Sequence, residues 1–338
     1  MISVVIPVRN EERYIARTIR YLLEQDYPAD KLEIIVVDGR SDDTTRARVE
    51  EIIAGDSRLR LLDNPRKLSS AGRNIGLAAA GGEIITFIDG HVYIANNQLL
   101  KSTVVLMAEN NVSVLSRPQF LDTPDNNLFQ RAVAAARKSK LGHGLDSTIY
   151  LKNDMSVDPT SSGASYKREI FKDVGHFDET FDAAEDVDFN YRVSQAGYKS
   201  FTSIKLAVYY FPRDTVKGLF RQMARYGTGR FRLFRKHREA VASGAMMLAL
   251  FFVILTALII ATLFFRPLLP FLAIYAGVYL LTVLTSSVIV AFSDEVRCLP
   301  LLPVMYLAIH FGLVYGIIKE AIKTTFRQNK RKGAALGI

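Results

Sequence analysis

The stretch ITFIDGHVYI, residues 85–94, decides the fold. A β-branched and aromatic run, Ile84 to Ile88, stops at Asp89, and Gly90 and His91 follow before the chain turns apolar again. Asp-Gly is a common turn dipeptide, and a lone histidine beside it is ordinarily structural. What Asp89 and His91 mean therefore depends on what the neighbouring strands bring to the same edge.

Working outward, residues 2–6 (ISVVI) form a short all-apolar strand broken by Pro7. NEERYIARTIRYLLEQ then places Ile15, Ile19, Leu22 and Leu23 on one helical face. LEIIVV, residues 32–37, is a second strand, stopped by Asp38-Gly39, and SDDTTRARVEEII reads as a capped helix. LRLLD is a third strand, SSAGRNIGLAAA a short helix and EIITFID a fourth strand. Continuous apolar strands alternating with helices imply an α/β fold whose parallel sheet is covered on both faces. In such sheets ligands bind beyond the carboxyl ends of the strands. Asp38 and Asp89 are expected to project into one crevice there. The first strand is not followed by a G-x-G-x-x-G turn, which argues against a pure dinucleotide site.

Asp89 and His91 stand two residues apart, so on extended chain both side chains point the same way. A carboxylate and an imidazole on one side suit a divalent cation that bridges two phosphates of a nucleotide. The imidazole moves the expectation from Mg²⁺ toward Mn²⁺.

The net charge of +9 is unevenly placed. Residues 213–238 carry nine Lys/Arg against one Asp, and residues 319–338 carry six against one Glu, so the rest of the chain is slightly acidic. These blocks bracket three uncharged runs, 240–265, 267–292 and 298–318. Each reaches the roughly 20 residues that cross a bilayer. Anionic lipid, and not nucleic acid, is the partner this pattern implies. RQMARYGTGRFRLFRKHRE mixes cations with Phe, Leu and Tyr and suits an amphipathic helix on a membrane surface. Both basic blocks belong in the cytoplasm, which three full spans would forbid; two spans plus one partial segment is the preferred reading. Met1 leads directly into ISVVIPV, which lacks the flank and length of a secretory signal. The single cysteine, Cys298, excludes an internal disulfide and a cysteine zinc site and fits a reducing compartment.

Five stretches now align with a known family. SVVIPVRNEE, VVDGRSDDTT, GRNIGLAAAGGEIITFIDGH, TSSGASYKREIFKDVGHFDETFDAAEDVDFNYRV and RQMARYG, in that order over residues 2–227, resemble the family-2 glycosyltransferases with the GT-A fold. The closer likeness is to membrane-anchored, succinoglycan-type enzymes of bacterial surface polysaccharide synthesis. The resemblance implies a nucleotide-diphosphate sugar donor, a UDP-sugar first among them, and inversion at the anomeric carbon. It implies that Pro7, Arg9, Glu11 and Asp38 hold base and ribose, with Arg9 in place of the commoner aromatic. Asp89 and His91 fall on the Asp-x-Asp metal motif, with His replacing the second Asp. Asp186 falls on the catalytic base, beside Glu185. Gln222, Arg225 and Tyr226 fall on the Gln-x-x-Arg-Trp element that meets acceptor and diphosphate, with Tyr in place of Trp.

The expected organisation is a GT-A domain over 1–215, a basic interface segment over 216–239, a membrane region over 240–318 and a cytoplasmic tail over 319–338. The chain is expected in the cytoplasmic (inner) membrane with its catalytic domain on the cytoplasmic side. Transfer of a single sugar to a lipid-linked acceptor is the leading reading, and an oligomer is compatible with it. A non-catalytic glycan- or lipid-binding scaffold is the alternative; a decayed site would have lost Asp38, Asp89 or Asp186, and all three are present. A nucleotidyltransferase would need a glycine- and lysine-rich phosphate loop after the first strand, and PVRNEERYI is not one. The acids of AAEDVDFNYRV also suit the capped start of a helix.

Overall fold

The computed structural model describes residues 1–143, 149–181, 183–238 and 243–335. The boundary expected at 239–240 and the last three residues of the tail lie outside them. The chain divides into two compact units: Met1–Pro124 with Ser147–Phe211, and Asp125–Asp146 with Pro212–Ile338.

The first unit opens with β1 (Ile2–Val8), α1 (Ile15–Leu23), β2 (Leu32–Asp38), α2 (Thr45–Ile53), β3 (Leu59–Asp63), α3 (Ser69–Ala79) and β4 (Ile84–Phe87). It continues through β5 (Val92–Tyr93), α4 (Leu99–Glu109), β6 (Val114–Ser116) and β7 (Gln119–Phe120). After the excursion into the second unit come β8 (Met155–Val157), β9 (Gly163–Lys167), α7 (Glu169–Asp173), α8 (Glu185–Gln195), β10 (Ser200–Thr202) and β11 (Val208–Tyr210). Eight strands form one sheet in the order β3-β2-β1-β4-β9-β6-β10-β8, and β5-β11-β7 form a second. β3, β2, β1 and β4 run parallel, as the sequence implies. Beyond β4 the sheet is mixed, because β9 enters antiparallel between β4 and β6.

The apolar runs have a direct cause. Alternate side chains of a strand face opposite sides. Ile2, Val4, Ile6 and Val8 pack on one face with Ile15, Ile19 and Leu22 of α1. Val5 packs on the other face with Ile85, Phe87, Leu77 and Phe189. α3 lies close to β1 because Gly76 carries no side chain: a Cβ there would overlap Val5. Strand order reverses between β1 and β4, and this reversal opens a crevice at their carboxyl ends.

The second unit comprises α5 (Leu128–Lys138), α6 (Lys140–His143), α9 (Val216–Lys236), α10 (Ser243–Phe264), α11 (Leu269–Ser293) and α12 (Leu302–Ala335). Three of its helices are long and apolar enough to cross a membrane, over Gly244–Phe264, Arg266–Ser293 and Leu302–Phe326. α5 starts on a reciprocal cap between Asn127 and Gln130 and buries Ala132, Val133, Ala135 and Ala136 against Leu302, Met305 and Tyr306 of α12.

A Gly76→Ala substitution should overpack the α3–β1 contact at a cost of about 1–3 kcal/mol. Thermal unfolding should then begin several degrees lower, and an unchanged midpoint would show that α3 shifts freely on the sheet.

Candidate active site

Asp38, the last residue of β2, and Asp89, just beyond β4, flank β1 at the carboxyl edge. Asp38 is buried, and its carboxylate accepts from Ser41 N and Ser41 Oγ (2.6 Å) with Arg46 3.9 Å away. Pro7 is wedged under α3, where a Cβ on Gly72 would come within 3.0 Å of Pro7 Cβ. Arg9 follows on the exposed loop. Glu11 N donates to Thr45 Oγ1 (2.7 Å) and Asp42 N to Asn10 Oδ1 (3.0 Å), tying the loop after β1 to the loop after β2.

The opening stretch is not extended through His91. β4 ends at Phe87, and Gly90 and His91 form a turn before β5. The turn is packed on β1: a Cβ on Gly90 would lie 2.7 Å from Val8 Cγ1. The expectation that Asp89 and His91 point together from a strand is corrected accordingly. Asp89 Oδ2 accepts from Tyr210 Oη at 2.8 Å, and Arg73 Nη2 lies 3.5 Å from Oδ1. His91 Nδ1 lies 2.9 Å from Glu11 Oε1. The two remain neighbours through Tyr210, whose ring meets the His91 ring edge-on at 5.5 Å.

Arg73, on the first turns of α3, is the hub. Its Nε lies 3.3 Å from Glu185 Oε1, and its guanidinium sits over the rings of Phe87 (5.2 Å) and Phe177 (5.5 Å). Burial disfavours its charge, yet Glu185, Asp89 and Asp186 together hold its pKa above the usual guanidinium value. Arg117, buried at the end of β6, donates to Phe87 O (2.9 Å); burial lowers its pKa against the pull of Tyr210 and Asp89. Burial alone would raise Asp89, but Arg73, His91, Tyr210 and Arg117 outweigh it and keep the carboxylate below its ordinary range. Asp89 retains 34% of its side-chain surface, so a ligand can reach it.

Asp186 has the opposite character. Burial, then the neighbouring Glu185 and Asp89 charges, push its carboxyl up to about 6, with Arg73 only partly offsetting them. It is not the helix cap that its sequence context suggests. The N-cap of α8 is Ala184, left-handed at φ 63°, and Asp186 sits one residue inside the first turn, accepting from Val187 N at 2.9 Å. Gln222, Arg225 and Tyr226 lie on α9 in the second unit; Arg225 and Tyr226 are exposed, and the Arg137 guanidinium of α5 sits 5.7 Å from the Tyr226 ring.

The structure thus gathers Asp89, Glu185 and Asp186 around one cation, and sets Glu11 beside His91. Sequence reading missed Arg73, Arg117 and Tyr210. Arg73 stands in the quoted GRN triplet and Tyr210 in an aromatic strand, but their roles come only from pairing across the fold.

Among the described residues no three or more His, Cys, Asp and Glu side chains are grouped to hold a metal by themselves. Asp89 with His91 nevertheless fits a cation that takes its remaining ligands from bound phosphates, as Mg²⁺-type ions commonly do. Arg73 is shared by three carboxylates, Glu185, Asp89 and Asp186, and a cation there would add positive charge for a diphosphate.

Residues 3–175 match the family model described as Glycosyl transferase family 2. The chain is 32% identical over 237 residues to the succinoglycan biosynthesis protein ExoA of Rhizobium meliloti (strain 1021), covering 70% of this chain and 70% of that one. It is 22% identical over 332 residues to the dolichyl N-acetyl-alpha-D-glucosaminyl phosphate 3-beta-D-2,3-diacetamido-2,3-dideoxy-beta-D-glucuronosyltransferase of Methanococcus voltae, covering 96% of this chain and 99% of the relative. Among solved structures it is similar to the mannosyltransferase PcManGT from Pyrobaculum calidifontis in complex with GDP-Man and Mn²⁺, at TM-score 0.59 and 21% identity over 95% of this chain and 86% of that one. That likeness bears on the fold alone. With the sequence match running from β1 past β9, and acids and arginines gathered at the strand reversal, the chain belongs to glycosyl transferase family 2 and is a glycosyltransferase with a GT-A fold.

Proposed function

We propose that the protein moves a single sugar from a nucleotide-diphosphate sugar to a lipid-linked acceptor at the cytoplasmic face of a membrane, with inversion. The observation that carries this reading is the contrast between two neighbouring carboxyls. Asp89 is held ionised while Asp186 is poised to take a proton. Groups pushed apart in this way divide between charge binding and acid–base work.

In this reading Pro7, Arg9, Glu11 and Asp38 receive the base and ribose at the ends of β1 and β2. Asp89 and His91 would hold a divalent cation, Mn²⁺ or Mg²⁺, which would supply positive charge to the diphosphate. Asp186 takes the proton of the acceptor hydroxyl as its oxygen bonds to the anomeric carbon and the bond to the diphosphate oxygen breaks. Attack opposite the leaving group inverts that carbon. Gln222, Arg225 and Tyr226 meet the acceptor and the departing diphosphate. Relatives support the substrate classes. The Methanococcus voltae enzyme is named for a dolichyl phosphate-linked substrate and matches almost the whole chain, and S. aureus TarS 1-349, at TM-score 0.50, was solved with UDP-GlcNAc. The three apolar helices supply the membrane attachment that such an acceptor requires.

Asp186→Asn should reduce acceptor-dependent turnover by about 10²–10⁴-fold, while nucleotide affinity stays within a few-fold. Asp89→Asn should instead weaken donor and metal binding together. Retained turnover in folded Asp186→Asn would remove this residue from the mechanism.

Chelation should abolish transfer, with Mn²⁺ restoring it at least as well as Mg²⁺. His91→Asp should shift the preference toward Mg²⁺, because an all-oxygen site suits the harder ion. Full activity in excess chelator contradicts the metal role.

Stability should also report Asp186. Its folded pKa lies above the unfolded value, so the folded chain binds its proton more tightly, and ionising it costs stability as pH rises toward about 6. Asp186→Asn should therefore unfold at a higher temperature than the parent at pH 7, by about 1–3 kcal/mol of stability. The advantage should shrink toward pH 4; a pH-independent difference in thermal scans would mean that burial of Asp186 is not felt.

A further inference from the structure

Three helices of the second unit are long enough to span, but their surroundings differ. The apolar windows of the first and second are 17% and 6% buried, whereas that of the third, in α12, is 56% buried. α10 and α11 cover part of it, with Ala249 and Phe252 clustered with Val314 and Ile317, and Val283 and Ala291 with Met305 and Tyr306, and charged chain covers it as well. Along its first half lie α5 and α6: Tyr306 Oη donates to Ser139 Oγ (2.8 Å), and His310 Nε2 lies 3.0 Å from Leu141 O. α5 is anchored by ion pairs from Arg131 to Glu295 (3.3 Å) and from Lys138 to Asp294 (3.0 Å), in the turn between α11 and α12.

Along its middle, from Gly312 to Glu320, lies α9, running parallel to it. A Cβ on Gly312 would meet Phe220 O at 2.7 Å, and one on Gly316 or Gly227 would overlap the facing backbone at Ala224 or Leu313. Arg232 Nε donates to the buried Glu320 Oε1 at 2.8 Å. Contacts from Phe220 to Arg232 on α9 and from Gly312 to Glu320 on α12 hold the two helices side by side for roughly 12–18 Å, at about 1.5 Å per residue. α9 carries exposed Arg221, Arg225, Arg235 and Lys236. If α12 crossed the bilayer, it would carry the start of α9 with Lys217 and Arg221 to mid-membrane. Each central cation weakens insertion on the order of a hundredfold.

From this packing we infer that α12 does not cross the membrane. It lies with α9 as a two-helix layer on the face where α9 begins, and α10 and α11 form the only spanning hairpin among the described residues. The partner of that layer is an anionic bilayer surface. Phe311, Tyr315, Ile318, Ile322 and Phe326 leave an exposed apolar stripe on α12 at spacings of three and four, and Lys319 and Lys323 border it. An apolar stripe edged by lysines is the pattern of a helix seated at head-group depth. The chain passes from Phe211 to Val216 with no apolar run between, so the inference leaves the residues before α9 on the membrane side where α9 begins.

The test is cysteine labelling of the full chain in sealed right-side-out membranes, in a Cys298→Ala background. Single cysteines at Glu51→Cys, Arg266→Cys and Lys323→Cys, with Thr325→Cys as a duplicate of the last, are exposed to a membrane-impermeant maleimide. Arg266→Cys, between α10 and α11, should label at once. Glu51→Cys, Lys323→Cys and Thr325→Cys should label only after permeabilisation, a difference of at least tenfold in labelled fraction. Immediate labelling at 323 and 325 together with 266 overturns the inference and makes α12 a third span. Labelling of all four positions only after permeabilisation overturns it as well, because the hairpin then does not cross. Neither result touches the transfer chemistry, which rests on other residues.

Discussion

The Arg73 guanidinium is the constraint on which the site depends. It is almost fully enclosed, sits over the Phe87 and Phe177 rings, and faces Asp89 from one chain segment and Glu185 from another about a hundred residues later. A buried charge is costly unless it is paired, and removing one partner of such a set strands the others. The three acids and Arg73 therefore hold one another in place. The end of β4 is thereby fixed to the start of α8, which joins the edge proposed to receive a donor to the helix that carries the proposed base.

The bookkeeping of charge around Arg73 explains why Asp186 differs from its neighbours. Glu185 and Asp89 each have direct access to a guanidinium, whereas Asp186 meets it only at longer range and feels both acids. Its raised pKa is the consequence of burial first, and then of being the third carboxylate near a cation already shared by two. Such an arrangement costs stability, and its persistence is what a proton-accepting role would require. The left-handed Ala184 just before it is the local feature that starts α8 without a side-chain cap and leaves Asp186 free of that duty.

The strands, the parallel core of the sheet and the candidate edge were legible because both faces of β1, β2 and β4 are covered, which writes continuous apolar runs into the sequence. Asp186 was proposed by family pattern, and Asp38 and Asp89 were placed at the sheet edge from their position after strands. Arg73 was not, since an arginine between small residues at a helix start looks like a solvated side chain until Phe177 and Glu185 arrive from afar. His91 was misread in direction, because Gly90 packs on Val8 and turns the chain before a strand can place it. Residues 125–143 gave no signal for a related reason. Their polar groups pair with Asp294, Glu295, Tyr306 and His310, and their short alanine-rich face is complete only against α12.

The pH profile of turnover in an Arg73→Gln variant, shown to be folded, tests the central claim most directly. Turnover per bound donor in the parent should fall about tenfold per pH unit below about 6, since the base must be ionised. Loss of Arg73 removes a cation that holds Asp186 down, so the acidic limb should move to higher pH in the variant. An acidic limb that stays where it was, in an enzyme that still turns over, would contradict both the coupling through Arg73 and the assignment of Asp186 as the base.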